Sequence, residues 1–194
     1  MIKLITHTQN PEQILQDSYS KCYQQPINFE KMIQFLKHES VLEHIVYTFD
    51  VKCSRITHLQ WVRHRIASYT SQSHRYTEPL EEDLYYFIPL AVRNNPTDTI
   101  EWIDDMIAQY KVYKKWRKKG YKKEDARYHI TDSCAINFQV TMNLRSIINF
   151  LALRTDKHAQ EEIMGEAIGM EGLVMDTMPN LKKHFEKLIE SKQD

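Results

Sequence analysis

Two stretches of the chain alternate apolar and polar residues with a period of two. Ile45, Tyr47, Phe49, Val51 and Cys53 fall on one face, with Thr48, Asp50 and Lys52 opposite; Ile136, Phe138, Val140 and Met142 alternate with Asn137, Gln139, Thr141 and Asn143. Each pattern predicts a half-buried strand. Residues 1–8 read as a short strand, and residues 85–92 as another. Residues 11–23 predict a helix with Asn10 as its cap and Pro11 at the first helical position. Asn28 is placed to cap a second helix running to Lys37, and Ser54 a third through about Ile66. Residues 97–119 predict a long amphipathic helix stopped by Gly120, and residues 122–131 a shorter one. Residues 145–153, 158–175 and 179–191 complete the helical segments, broken at Thr155-Asp156 and near Met178-Pro179. No repeat, low-complexity tract or linker interrupts the pattern. Separated strands with helix-rich connections predict one mixed α/β (α+β) domain over residues 1–194, with a small, mostly antiparallel sheet flanked by long helices.

Composition narrows the classes. The 26 basic and 26 acidic residues give zero formal net charge, which argues against a general nucleic-acid binder with an overall basic face. Basic groups are concentrated locally instead, as suits a small anionic ligand. Four glycines and six prolines in 194 residues leave few turns and favour long helices. No apolar run has the length of a membrane span, and the first eight residues are too short and polar for a secretion signal. Cys22, Cys53 and Cys134 are odd in number and widely spaced, so they predict neither a disulfide framework nor a metal pair. The expectation is a reduced, cytoplasmic protein that does not engage membranes.

The densest chemistry lies in residues 63–75. Arg63, His64 and Arg65 are adjacent and cannot neutralise one another, and the planar Arg fork suits phosphate. A solvated basic patch is the bland reading, but Trp61, Val62, Ile66 and Ala67 embed the cluster in apolar residues. Residues 143–158 form a second dense stretch. Arg145 and Asn149 are four apart and share one helical face, amid Ile148, Leu151 and Leu153. The plainer alternative there is a helix whose arginines pair with acids, with Asp156 available to Arg154. Nine histidines invite a metal hypothesis, yet His38 and His44, like His58 and His64, are six apart rather than four, and Arg63 and Arg65 would repel a cation. No metal is expected. His7 and His184 read as surface residues. The basic run at residues 114–119, with Trp116, reads as a solvated helix end favoured by the helix dipole.

Together the two stretches resemble the flavin-dependent thymidylate synthase family. Its signature of Arg-His-Arg, seven residues, then Ser is met by Arg63-His64-Arg65 and Ser73. The flanks match at His38-Glu39-Ser40, Glu43-His44, Gln60-Trp61, Arg75-Tyr76, Ala126-Arg127 and from Asn143 through His158-Ala159-Gln160, so the likeness covers roughly residues 35–165. The resemblance implies a homotetramer holding FAD and substrate at subunit junctions. It also implies methylene transfer from methylenetetrahydrofolate to dUMP, with NADPH reducing the flavin. It gives Ser40, Arg63, His64, Arg65, Asn143, Arg145 and Asn149 to the flavin, with His38 near flavin and folate and Ser71 at a flavin-contacting position that lies between flavin and nucleotide. It gives Gln60, Arg63, Ser73, His74, Arg75, Arg127 and Arg154 to dUMP.

Two positions depart from the family pattern. Thr70-Ser71 stands where Asn-Glu is usual, and Tyr128-His129-Ile130-Thr131 follows Ala126-Arg127 where the family runs toward Leu-Pro. Ser71 lacks the carboxylate charge, so a relative acting on another pyrimidine nucleotide is an alternative, as is a non-catalytic nucleotide- or RNA-binding module. C5 of uracil is a poor nucleophile, and one route to activate it adds a thiolate at C6. Cys22 lies outside both dense stretches, and Cys53 and Cys134 read as core residues. The electrostatic route remains, a permanent charge stabilising the ring as its anion, and the resemblance gives that role to Arg154. Ser73 reads as a nucleotide contact rather than a nucleophile. No Gly-x-Gly-x-x-Gly fingerprint is present, so a Rossmann flavin site is not expected.

Overall fold

The computed structural model describes residues 1–34, 38–84 and 87–193. In chain order the elements are β1 (Ile2–His7), α1 (Pro11–Tyr23), α2 (Phe29–Gln34), β2 (Val46–Ser54), α3 (Arg55–Trp61), β3 (Ser68–Ser71), α4 (Leu90–Arg93), α5 (Pro96–Lys118), α6 (Lys123–Ala126), β4 (Ala135–Asn143), α7 (Leu144–Arg154), α8 (Glu161–Asp176) and α9 (Lys182–Glu190), with 3₁₀ turns at Glu39–His44, Glu81–Asp83 and Arg127–His129. Four strands pair antiparallel in the order β1-β2-β4-β3. The alternation in β2 and β4 sorts as read: Tyr47, Phe49, Val51 and Cys53, and Ile136, Phe138, Val140 and Met142, are buried.

The chain divides into two compact units, Met1–Asp50 with His64–Tyr69 and Gln139–Asp194, and Val51–Arg63 with Thr70–Phe138. Unit 1 packs α7 and α8 around Ile147, Phe150, Leu151, Ile163 and Met170, all buried. At Gly169 helix α8 approaches β1 so closely that a Cβ would lie 3.0 Å from Ile2 Cγ2, which is why glycine stands there. Across the strands Thr48 and Thr141 share a hydroxyl hydrogen bond of 2.9 Å. Unit 2 gathers Leu84, Tyr113, Ala126, Ile130 and Cys134 into one cluster, flanked by Tyr110 and Trp116. Trp61 meets Phe138 edge-on at 5.6 Å between ring centroids.

Several local readings are corrected. Asn10 does not cap α1 with its side chain; it adopts left-handed backbone (φ 49°) and makes no side-chain cap bond. Asn28 and Ser54 do cap, accepting from Lys31 N at 2.9 Å and Thr57 N at 3.2 Å. The Lys37 end of the second helix lies outside the described residues. Helix α3 stops at Trp61, short of Ile66, because the hydroxyl- and aromatic-rich run that follows has β propensity and enters the sheet as β3. Of the strand read at residues 85–92, the first two residues are outside the described set. The remainder is irregular chain and then helix α4, begun after Pro89, whose fixed φ and missing donor suit a helix start rather than a ladder. Helix α5 is less sided than expected: Tyr113 is its one buried residue among those described, and Ile100 is 63% exposed. Gly120 ends it with φ 91°. The helix read at residues 122–131 is the single turn α6 followed by a 3₁₀ turn. His7 is half-buried, stacked on Tyr47 at 5.7 Å, and His184 is half-buried too.

Candidate functional site

Unit 2 contains a cleft of about 830 Å³ lined by α3, the end of β3 with the turn after it, and residues 127–132. Arg55 and His58 lie three apart on α3 and so share a face. Arg55 donates to Ile130 O at 3.2 Å and stands 3.9 Å from Asp132. Ser71, Gln72, Ser73 and His74 form the facing wall. Gln72 fixes that wall: its N–H donates to Asn137 O at 2.8 Å and its Oε1 accepts from Asn137 N at 3.2 Å. Ser73 accepts from the Arg75 N–H at 3.3 Å, closing a serine turn. His74 is buried, and among the described residues its Nε2 has no hydrogen-bond partner. Burial pushes its pKa down, and the charges of Arg55 and Arg127 add to that against the opposing pull of Asp83. A neutral imidazole with an unsatisfied nitrogen, two guanidiniums and hydroxyls is a donor-rich lining suited to an anion carrying a polar ring.

Of the residues expected to contact nucleotide, Ser73, His74 and Arg127 line this cleft, together with Ser71. Arg75 does not; its Nε donates to Glu124. Gln60 is half-buried on α3 and outside the lining, and Arg63 is exposed in the turn after α3, its N–H donating to Gln60 O at 3.3 Å. Arg55 and His58 were missed by sequence reasoning. Their three-residue spacing on a capped helix was the available signal.

Unit 1 holds the other candidates. Arg154 donates from Nε to His64 Nε2 at 3.1 Å, and His64 meets Phe150 edge-on at 4.7 Å. Burial, with the Arg154 charge beside it, pushes the His64 pKa down to about 4, so the ring is neutral and can accept. Asp156 is engaged by His158 at 2.8 Å. Asn143 caps α7, accepting from Ser146 N at 2.9 Å. Arg145 donates to Glu39 at 3.0 Å and to Glu43 at 2.6 Å. Lys192 donates to Asn149 Oδ1 at 2.8 Å and also pairs with Glu39. That lysine, 43 residues beyond Asn149, was not foreseen. The Glu39 carboxyl is held below the usual carboxylate range, first by the Lys192 hydrogen bond and then by Arg145. His38, Ser40 and Arg65 are exposed. Among the described residues no group of three or more His, Cys, Asp or Glu is placed to hold a metal ion.

The model of the family described as thymidylate synthase complementing protein matches residues 3–180. The chain belongs to this family.

Relatives within the thymidylate synthase complementing proteins agree. A flavin-dependent thymidylate synthase of Thermococcus onnurineus is 42% identical over 70% of this chain and 56% of its own length. One of Thermosipho africanus is 36% identical over 84% of this chain and 78% of its own length. One of Clostridium tetani is 34% identical over 94% and 85%. The chain thus spans little more than half of the first of these. Among the described residues no helix is long and apolar enough to cross a membrane. Arg63 and Arg65 are exposed, whereas Arg145 already carries two carboxylates.

Proposed function

We propose that this chain is a flavin-dependent thymidylate synthase, converting dUMP to dTMP with methylenetetrahydrofolate and NADPH as co-substrates. The observation that carries the reading is the unit 2 cleft, where Ser73, Arg127 and His74 of the family pattern share one lining and the buried His74 Nε2 has no hydrogen-bond partner among the described residues. The donor set fits FAD: Arg63 and Arg65 are exposed and a guanidinium suits a diphosphate, while Arg145 and Asn149 share one face of α7. Bound FAD supplies the redox chemistry. The protein's own residues bind and polarise. Arg127 holds the nucleotide phosphate, with Ser73 and His74 at its neighbouring atoms; Arg75, Gln60 and Arg63, which do not line the cleft, are assigned to the nucleotide on the family pattern alone. Arg63, His64, Arg65, Ser40, Asn143, Arg145 and Asn149 serve the flavin, with His38 and Ser71 beside it.

Arg154 is the catalytic residue in this reading. Its charge stabilises the uracil as an anion and so raises electron density at C5. Burial pushes the Cys134 thiol up to about 12, which leaves it protonated at neutral pH and a poor nucleophile. The chain works as one cytoplasmic domain, residues 1–194, in a homotetramer whose subunits share each site, without nucleic acid or membrane partners. Sedimentation should then show flavin only on the tetramer; a fully loaded monomer would contradict shared sites. The deciding experiment incubates purified protein with FAD, NADPH, methylenetetrahydrofolate and dUMP and analyses the product. Formation of dTMP supports the reading; its absence from flavin-loaded protein rejects it in favour of another pyrimidine nucleotide.

A further inference from the structure

We propose that His58 and Ser71 form a hydrogen-bonded relay in the unit 2 cleft, in which the Ser71 hydroxyl contacts the base of a bound pyrimidine nucleotide and His58 is its positioning residue. The proposal rests on the nucleotide reading of that cleft.

The two side chains line the cleft together, with His58 Nε2 and Ser71 Oγ 2.8 Å apart. Each is held by its own element. His58 sits on capped helix α3 and packs edge-on against Phe138 at 4.9 Å. Ser71 ends β3, and the next residue, Gln72, is fastened to Asn137 through backbone and side chain. Their separation is therefore set by the fold, which lowers the entropy lost when a ligand binds. Burial pushes the His58 pKa down, favouring the neutral ring.

A neutral ring leaves the pair two directions, set by the tautomer. A hydroxyl has one proton and two lone pairs. If Nε2 carries the ring proton, Ser71 accepts from His58 and its own proton is free to donate. If Nδ1 carries it, Ser71 donates to His58 and offers only lone pairs outward. The first arrangement suits a ring carbonyl such as that of uracil, and the second an exocyclic amino group such as that of cytosine. A carboxylate at this position, the family's usual choice, would offer acceptors alone and add a negative charge. With Ser71 the pair is uncharged, and the cleft keeps the positive field of Arg55 and Arg127 for a phosphate.

The test is calorimetric titration of the FAD-loaded protein with dUMP and, separately, dCMP. The proteins are the wild type, Ser71→Ala, His58→Phe, the double variant and His58→Gln, with flavin absorbance as the check on folding. Loss of one such hydrogen bond should weaken dUMP binding about 3- to 10-fold. The double variant should be no weaker than either single one, because both remove the same contact, and His58→Gln should recover most of the loss. The ¹⁵N resonance of His58 Nε2 should move on adding dUMP to the wild type and stay still in Ser71→Ala. Multiplying losses in the double variant, or an equal resonance shift without the hydroxyl, would overturn the relay. If Arg127→Ala abolishes dUMP binding while Ser71→Ala and His58→Phe bind as the wild type does, the relay fails and the nucleotide reading stands. If the wild type binds neither nucleotide, both fail.

Discussion

The arginines of the two units differ in what they face. In unit 1 the exposed face of α7 is neutralised from within, Arg145 by Glu39 and Glu43, and Lys192 by Glu39. In the unit 2 cleft, Arg55 and Arg127 share the lining with a neutral His74 and hydroxyls, and Arg55 stands 3.9 Å from Asp132. The same residue type thus builds a self-satisfied surface in one place and an anion-ready lining in the other. An arginine in a motif says less about a ligand than the carboxylates around it do.

The largest expected effect comes from Arg154, which donates to neutral His64. Arg154→Ala should lower kcat by about 10²–10³ while flavin absorbance persists; normal turnover would remove it from catalysis. Next is Arg127→Ala, which takes one charge from the open lining and should weaken dUMP binding about 10- to 100-fold by titration. Equal weakening by Arg145→Ala would erase the contrast between the two regions.

Acid should act on the stability of unit 1, where His64 and Glu39 both lie. His64 is depressed from the ordinary 6.5 to about 4, so between those values the unfolded chain binds the proton and the folded one does not. Stability should fall as pH drops from 6.5 toward 4, by well under the ~1.4 kcal/mol per pH unit of a fully shielded group, because the half-buried ring is partly screened by solvent. Thermal melts of His64→Gln should be flatter over that window. The smallest effect concerns Glu39, whose folded pKa is also depressed. Its contribution is present above the ordinary carboxylate range and is lost as pH falls through the folded value. Glu39→Gln should remove under about 1 kcal/mol at neutral pH and shift the melts least below pH 4.

The strands β2 and β4 were legible because half-burial forces a period of two, and Asn28 and Ser54 because a cap must stand just before the first turn. Asn10 misled because its left-handed backbone carries the chain into α1 without using its side chain. β3 was invisible: four residues, Ser-Tyr-Thr-Ser, with little buried side chain leave no alternation to read. Pro89 ended the apparent strand that Phe87 and Ile88 suggested. In the cleft, Ser73, His74 and Arg127 were readable from the family pattern, whereas the His58–Ser71 pair depends on a helix and a strand meeting. The partners of Arg145 lie more than a hundred residues away in sequence, beyond the reach of local spacing.

The carboxylates around Arg145 act as a resident anion. A diphosphate approaching α7 would have to evict Glu39 or Glu43, so its binding there is an exchange between one bound anion and another. Such an exchange releases few ions to the bulk, and the affinity it yields should respond only weakly to added salt.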